Sequence, residues 1–329
     1  MKRIDVILPF HRDDLHLRRA INSVVQSTNV NLRLILIDDR LNQDSKISLE
    51  ITRGTSVVFA HTKGGQGYGA ALEKGSEFID SDFVALMNSD DLVHHERFRI
   101  QQESIAGYDL NFTSLIRQNS RGQYSKSITG ELSYGEFDTS FLLLGAYGAN
   151  ASWFMTREWW FENSFFDDQA ALDWRIALSS FQHSRVKYLH KPLYFYTRHK
   201  MQSTSRSTTP AQFDVIYEKW AEVHDATLGG RPSRNIFDLM ATPWITTKCY
   251  SWPELSSWIE NFQSNSQSLS SGVSMQASHL LRRRLALMGL RNFSNFLEMP
   301  TSYKKFLPCE TWKITKDLVA RSNELDVAI

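Results

Sequence analysis

ALMNSDDLVHHERF, residues 85–98, decides how the first part of this chain is read. An apolar run stops abruptly at Asn88, Ser89, Asp90 and Asp91. Adjacent carboxylates at the tip of a buried strand are costly, because burying unpaired charge is strongly unfavourable. Something must neutralise them. Taken alone, Asp90-Asp91 also suits a surface turn whose acid caps the next helix.

Upstream, residues 4–10 (IDVILPF) read as a buried strand. Asp13 and Asp14 then precede a helical pattern with Leu17, Ala20, Ile21, Val24 and Val25 on one face. LRLILI, residues 32–37, is a second strand and ends at Asp38-Asp39. SVVFA, residues 56–60, is a third. A KGGQGYG turn leads to a helix carrying Tyr68, Ala71, Leu72, Phe78 and Ile79, and FVALM, residues 83–87, is a fourth strand. This alternation predicts an open α/β sheet with parallel strands. Such sheets bind ligands at their carboxyl ends. The polar ends Phe10-His11-Arg12, Asp38-Asp39 and Asn88 to Asp91 should therefore converge on one crevice. Carboxylates clustered there repel, and a divalent cation with oxygen ligands is the usual remedy.

Downstream the pattern is mixed. LNFTSLI, SWFM, VKYL and LYFYT read as further strands, and residues 169–181 as a helix with Trp174, Ala177, Leu178 and Phe181 toward a core. STSRSTTP, residues 203–210, is polar and aperiodic. It sets the expected organisation: a first domain over 1–208 and a mainly helical region over 209–329. That second region opens with Phe213, Ile216, Trp220 and Val223 at helical spacing, and Pro253 fits the first turn of a later helix.

Composition narrows the class. The chain has 329 residues, 42% hydrophobic, ample for a sizeable core. Lys+Arg is 37 against Asp+Glu 36, so nothing in the charge calls for nucleic acid. Cys249 and Cys309 form no CxxC, which argues against a disulfide framework or zinc site and fits a reducing cytoplasm. MKRIDVILPF is too short and polar for a signal peptide, and no apolar run approaches the ~20 residues of a membrane span. The expectation is a cytoplasmic protein that at most rests on the inner membrane surface.

The first ~205 residues resemble the inverting, GT-A-fold glycosyltransferases of the large bacterial family that uses nucleotide-diphospho-sugars (family 2-like). VILPFHRDD with AINSVVQST resembles the family's opening strand and helix. LRLILIDDR resembles its "IIVVDDGS" segment, and KGGQGYGAALEKG the glycine-rich segment before the metal motif. ALMNSDDL resembles the Asp-X-Asp metal motif, FFDDQAALDWRIAL the segment supplying a catalytic carboxylate, and KPLYFYTRHKMQSTS the "YRxHxxS" segment.

The resemblance implies a UDP-sugar donor, a saccharide or lipid-linked acceptor, and Mn²⁺ or Mg²⁺ as cofactor. It implies Asp90 as metal ligand, with Asp91 as ligand or support, and His199 completing the site. Asp39, with Asp38 as runner-up, reads the base, and Pro9, Phe10, His11, Asn88 and Ser89 line the donor pocket. Arg198, Lys200, Ser203 and Ser205 contact the diphosphate. Asp173 is the base that deprotonates the acceptor, with Asp167 and Asp168 as alternatives; Trp153 and Asp168 are acceptor contacts. The sequence departs from the pattern in places. Asn88 replaces the first Asp of the metal motif, Leu172 replaces the acid before Asp173, and Ala71-Leu72-Glu73 lacks the family's Arg and Asn.

Other readings stand beside this one. Asp173 also suits a helix-start cap, and Trp153, Trp159, Trp160 and Trp174 also suit a core. KGGQGYG is not a dinucleotide fingerprint: its glycines are misspaced and it follows the third strand. A sugar nucleotidyltransferase would place a glycine-rich loop after the first strand, where Phe10-His11-Arg12-Asp13 has none. A non-catalytic nucleotide-sugar-binding module is the other alternative. Residues 279–297, with Arg282 to Arg284, form an amphipathic basic segment suited to packing, homo-oligomerisation or peripheral membrane contact.

Overall fold

The computed structural model describes residues 2–42, 54–119, 124–127, 135–137, 142, 150–167, 172–199, 210–234 and 237. Strand β1 (Arg3–Phe10) is buried at every position after Arg3. Its Asp5 is fully buried and held by Arg33 Nε and Nη2 at 2.9 and 2.8 Å, which is how an acid is tolerated there. Helix α1 (Leu15–Val25) starts at Asp14, whose Oδ1 accepts the N–H groups of His16 and Leu17 at 2.8 and 3.1 Å. It buries Leu17, Ala20, Ile21 and Val24 against the sheet.

β2 (Asn31–Asp38) and β3 (Ser56–His61) follow, then α2 (Tyr68–Ser76) and β4 (Phe83–Leu86). α2 lies close on the sheet at Gly75, where an added Cβ would meet Ile7 Cγ2 at 2.7 Å. The helix stops at Ser76, so Phe78 and Ile79 lie beyond it in a tight turn. β3, β2, β1 and β4 are adjacent and parallel. Their carboxyl ends therefore share one edge, as the sequence implied.

Beyond β4 the sheet is mixed. β5 (Leu92–Val93), α3 (Arg97–Ser104), β6 (Leu110–Asn119), β7 (Tyr124–Ser127) and β8 (Gly135–Glu136) come next. Then follow β9 (Phe154–Thr156), α4 (Arg157–Asn163), α5 (Leu172–Ser180), β10 (Val186–Arg198) and α6 (Pro210–Leu228). The order is β3-β2-β1-β4-β9-β6-β10-β5, with β9 antiparallel to both β4 and β6. VKYL and LYFYT prove to be one 13-residue strand, β10, bulged between Leu189 and Tyr194 around Pro192. Proline removes a ladder donor, and the bulge accommodates it. β5 pairs antiparallel with β10, Val93 opposite Tyr194 and Leu92 opposite Phe195. That short ladder carries the end of β10 back beside the residues after β4.

The chain divides into two compact units, Met1–Thr139 with Tyr147–Ile216, and Ser140–Ala146 with Tyr217–Ile329. The sheet lies in the first. In the second, Trp220 packs on Phe237 with ring centroids at 5.2 Å, and His224 Nδ1 lies 3.0 Å from Gly230 O. No helix among the described residues is long and apolar enough to cross a membrane. The basic segment at 279–297 lies outside the described residues.

Candidate functional site

The acidic tip after β4 gives its neighbouring carboxylates different surroundings. Asp91 is fully buried. Its Oδ2 accepts from the Tyr194 hydroxyl at 2.6 Å and from Asn88 Nδ2 at 3.1 Å, and its Oδ1 from the Thr197 N–H at 2.7 Å. Asp91 thus continues the β5–β10 ladder with a side chain and ties β10 to the tip. Burial pushes its pKa up to about 7, and the nearby charge of Asp90 adds to the rise. The hydrogen bonds from Tyr194, Thr197 and Asn88 pull the other way.

The buried counter-charge is Arg97. It packs over the Tyr194 ring at 5.2 Å and donates to Gln101 Oε1 at 2.8 Å and to Leu86 O at 3.2 Å. Burial lowers its pKa to about 10, while Tyr194 and Asp91 oppose that fall. Arg97 lies within the stretch quoted at the outset, and its role was not foreseen. That role is set by contacts across the fold, which no local sequence pattern marks.

Asp90 turns outward. Its carboxylate is 27% exposed, and its Oδ2 lies 2.9 Å from His199 Nε2. The sequence expectation brought these residues together, and the structure does the same. His16, which no motif singled out, stacks on His199 with ring centroids 4.7 Å apart and planes 16° apart.

The other acidic pair is satisfied internally. Asp38 is fully buried and bound by Arg40 Nη2 at 2.7 Å and Nε at 2.9 Å, with His61 Nδ1 at 3.5 Å. Asp39 is 6% exposed and shapes the glycine-rich turn. Its Oδ1 accepts from Gln66 N at 2.9 Å and from the Thr62 hydroxyl, and its Oδ2 from Gly67 N at 2.8 Å. Gly67, at φ 94°, caps α2 in a conformation that favours glycine.

Of the expected donor-pocket residues, His11 is exposed and Asn88 and Ser89 are half-buried. Partial desolvation and Arg12 lower the His11 pKa, against the pull of Asp90 and Asp39, so this ring shares the field of both acidic pairs. Pro9 and Phe10 require correction. Both side chains are buried in a strand covered on both faces, and Phe10, 2% exposed, packs on Phe59. The Phe10 contribution is its carbonyl, which accepts Asp39 N–H at 2.8 Å.

Asp173 is half-buried in the first turn of α5, and its Oδ1 accepts the Trp174 N–H at 2.9 Å. Burial raises its pKa, and the helix N–H groups oppose that rise. The neighbouring wall carries Tyr68, whose hydroxyl accepts from Asn150 Nδ2 at 2.9 Å. Asp167 is gripped by Arg175 Nη2, 2.6 Å from both carboxylate oxygens. Trp153 also requires correction. It is 1% exposed and packed against Trp159 and Phe181, so no sugar reaches its face. Trp159, Trp160 and Trp174 are likewise core.

Arg198 ends β10. Asp168, Lys200, Ser203 and Ser205 lie outside the described residues. Elsewhere, ligand atoms of His94, His95 and Glu96 lie within 4.8 Å of one another. They are consecutive in sequence, and Glu96 is engaged by Arg99 at 2.5 Å.

Residues 5–165 match the family model described as Glycosyl transferase family 2. An uncharacterized glycosyltransferase of Rickettsia conorii is 27% identical over 136 residues, 40% of this chain and 22% of that protein. Glycosyltransferase GlyA of Streptococcus pneumoniae is 23% identical over 241 residues, 67% of this chain and 34% of that protein. The chain thus spans about a fifth to a third of the length of these relatives. Among solved structures, S. aureus TarS 1-349 in complex with UDP-GlcNAc superposes with a TM-score of 0.59 at 14% identity. That likeness covers 94% of this chain and 93% of TarS 1-349. The same TarS fragment in complex with UDP gives 0.58. Residues 5–165 thus form a Glycosyl transferase family 2 domain, carried on a mixed sheet of the GT-A fold.

Proposed function

We propose that this chain moves a sugar from a UDP-sugar to an acceptor hydroxyl, with inversion at the anomeric carbon and with Mn²⁺ or Mg²⁺ held by Asp90 and His199. The observation that carries this reading is the 2.9 Å approach of His199 Nε2 to Asp90 Oδ2, between residues 109 positions apart. An imidazole and an outward carboxylate suit a cation such as Mn²⁺, which takes both nitrogen and oxygen. Once bound, the cation would neutralise the diphosphate as the bond to the sugar breaks.

The rest is done by the chain's own groups. Asp173 takes the proton of the acceptor hydroxyl as its oxygen bonds to the anomeric carbon and the UDP oxygen leaves. A pKa raised by burial makes this carboxylate a stronger base than an exposed one. Asp91 acts as support, holding β10 so that His199 meets Asp90. Asp39, expected to read the base, and Asp38 behind it are held by the glycine-rich turn and by Arg40, so His11, Asn88 and Ser89 are the side chains that line the donor. Arg198, Lys200, Ser203 and Ser205 approach the diphosphate. A UDP-sugar donor is favoured because the structural neighbour TarS was solved with UDP-GlcNAc and with UDP. The acceptor class is a saccharide or lipid-linked saccharide of a bacterial surface polymer. Residues 209–329 serve packing, homo-oligomerisation or approach to such an acceptor.

The test is a thermal-shift screen of UDP-, GDP- and TDP-sugars with and without Mn²⁺. A UDP-sugar at a hundredfold excess over Kd stabilises the fold by about 2.7 kcal/mol, and only when Mn²⁺ is present. Asp173→Asn keeps that stabilisation but loses transfer by about 10²–10⁴-fold. Absence of any nucleotide-dependent shift, together with no transfer or donor hydrolysis, refutes the reading.

A further inference from the structure

Resting on the cation reading above, we infer that His16 is a positioning residue for His199, holding the plane of that imidazole so that Nε2 stays on the Asp90 side. His199 follows Arg198, where the β6–β10 ladder ends opposite Asn119. Its ring orientation beyond that point is therefore set by what it touches. Asp90 Oδ2 lies at its Nε2 edge, at 2.9 Å. His16 lies flat against its face, at 4.7 Å and 16°.

The platform itself is rigidly mounted. His16 sits in the first turn of α1, its N–H bound to Asp14 Oδ1 at 2.8 Å. The next residue, Leu17, is 1% exposed in the core. α1 is anchored further by Val93 N–H, which donates to Ser23 Oγ at 3.2 Å and so ties the helix to the strand that follows the acidic tip. Helix, tip and histidine thus form one connected frame. An imidazole ligates through one nitrogen only when its plane is correctly turned, and a flat neighbour restricts that rotation. Hydrogen-bonded partners that orient a metal-ligating histidine are typically worth about 10–100-fold in metal affinity, and a stacked ring that fixes the plane is expected at the lower end of that range.

The test titrates Mn²⁺ into the full chain in the presence of UDP, followed by electron paramagnetic resonance of the free ion. His16→Ala weakens Mn²⁺ binding by about tenfold, and His16→Phe, which keeps a flat ring without nitrogens, stays close to wild type. A second measurement needs no cation: the His199 ring protons, shifted upfield by the stacked ring, move downfield in His16→Ala and much less in His16→Phe. Wild-type affinity in His16→Ala, or a His16→Phe variant as weak as His16→Ala, overturns the positioning role; the latter outcome makes His16 a nitrogen donor instead. A wild-type chain that binds UDP but no Mn²⁺ or Mg²⁺ removes the cation reading and this inference together. A wild type that binds Mn²⁺ while His16→Ala is unaffected removes the inference alone.

Discussion

The chain carries two acidic pairs, Asp38-Asp39 at the end of β2 and Asp90-Asp91 after β4, and they have been put to different uses. In the first pair both members are closed off. Arg40 clamps Asp38, and the glycine-rich turn donates its backbone to Asp39. In the second pair, only Asp91 is closed off, and Asp90 stays 27% exposed against His199. The local chemistry of two adjacent aspartates is identical. What differs is the neighbour that tertiary structure supplies: an arginine two positions on in one case, a strand from a hundred residues away in the other. A buried carboxylate with hydrogen-bond donors on both oxygens serves the fold. A carboxylate that keeps an open oxygen beside an imidazole serves chemistry.

The sharpest way to break this contrast is Asp90→Asn. The change removes the outward charge and leaves the Asp91 lock intact. Transfer falls by about 10³-fold, as expected for a lost ligand to a Lewis-acid cation. The melting temperature holds or rises, because the like charge that strains Asp91 is gone. A melting temperature that drops with activity would make Asp90 a structural acid like its neighbour. Arg40→Met is the converse experiment. It leaves Asp38 buried without its main counter-charge, and stability in urea falls by about 3 kcal/mol. Mn²⁺ affinity stays at the wild-type value, and a parallel loss of cation binding would erase the distinction between the pairs.

The same contrast separates what the sequence reveals from what it hides. β1, β2, β4 and α1 were legible because burial of a strand on both faces, or a helix on one, leaves a periodic trace. β10 was not legible as one strand, because Pro192 and its bulge interrupt the apolar run. Trp153 and Phe10 differ from expectation because an aromatic at a strand end looks alike in sequence whether it faces a ligand or a core. The pairing of Asp90 with His199 came from family resemblance, since no local pattern links positions 109 apart. Arg97 and His16 left no trace for the same reason: their roles are defined by contacts, with the Tyr194 ring at 5.2 Å and the His199 ring at 4.7 Å.

The smallest expected effect tests the closed half of the second pair and depends on pH. Tyr194→Phe deletes the hydroxyl that donates to Asp91 Oδ2 at 2.6 Å. In cation-free buffer Asp91 keeps its proton in the folded chain up to about pH 7, whereas the unfolded chain releases it near the ordinary carboxylate value. The contribution of this group to wild-type stability is therefore fully present at low pH, declines as pH rises toward 7, and is flat above that. The tyrosine hydrogen bond favours the ionised form, so its loss raises the Asp91 pKa further. Below pH 6 the substitution removes a bond to a neutral acid and costs about 0.5–1.5 kcal/mol; above pH 8 it removes a bond to a carboxylate and costs about 1.5–3 kcal/mol. Urea unfolding of wild type and Tyr194→Phe at pH 5.5 and pH 8.5 reads the difference directly. Equal costs at both pH values would mean that Asp91 is already ionised throughout, and that Arg97 offsets its burial more completely than the depressed pKa of that arginine implies.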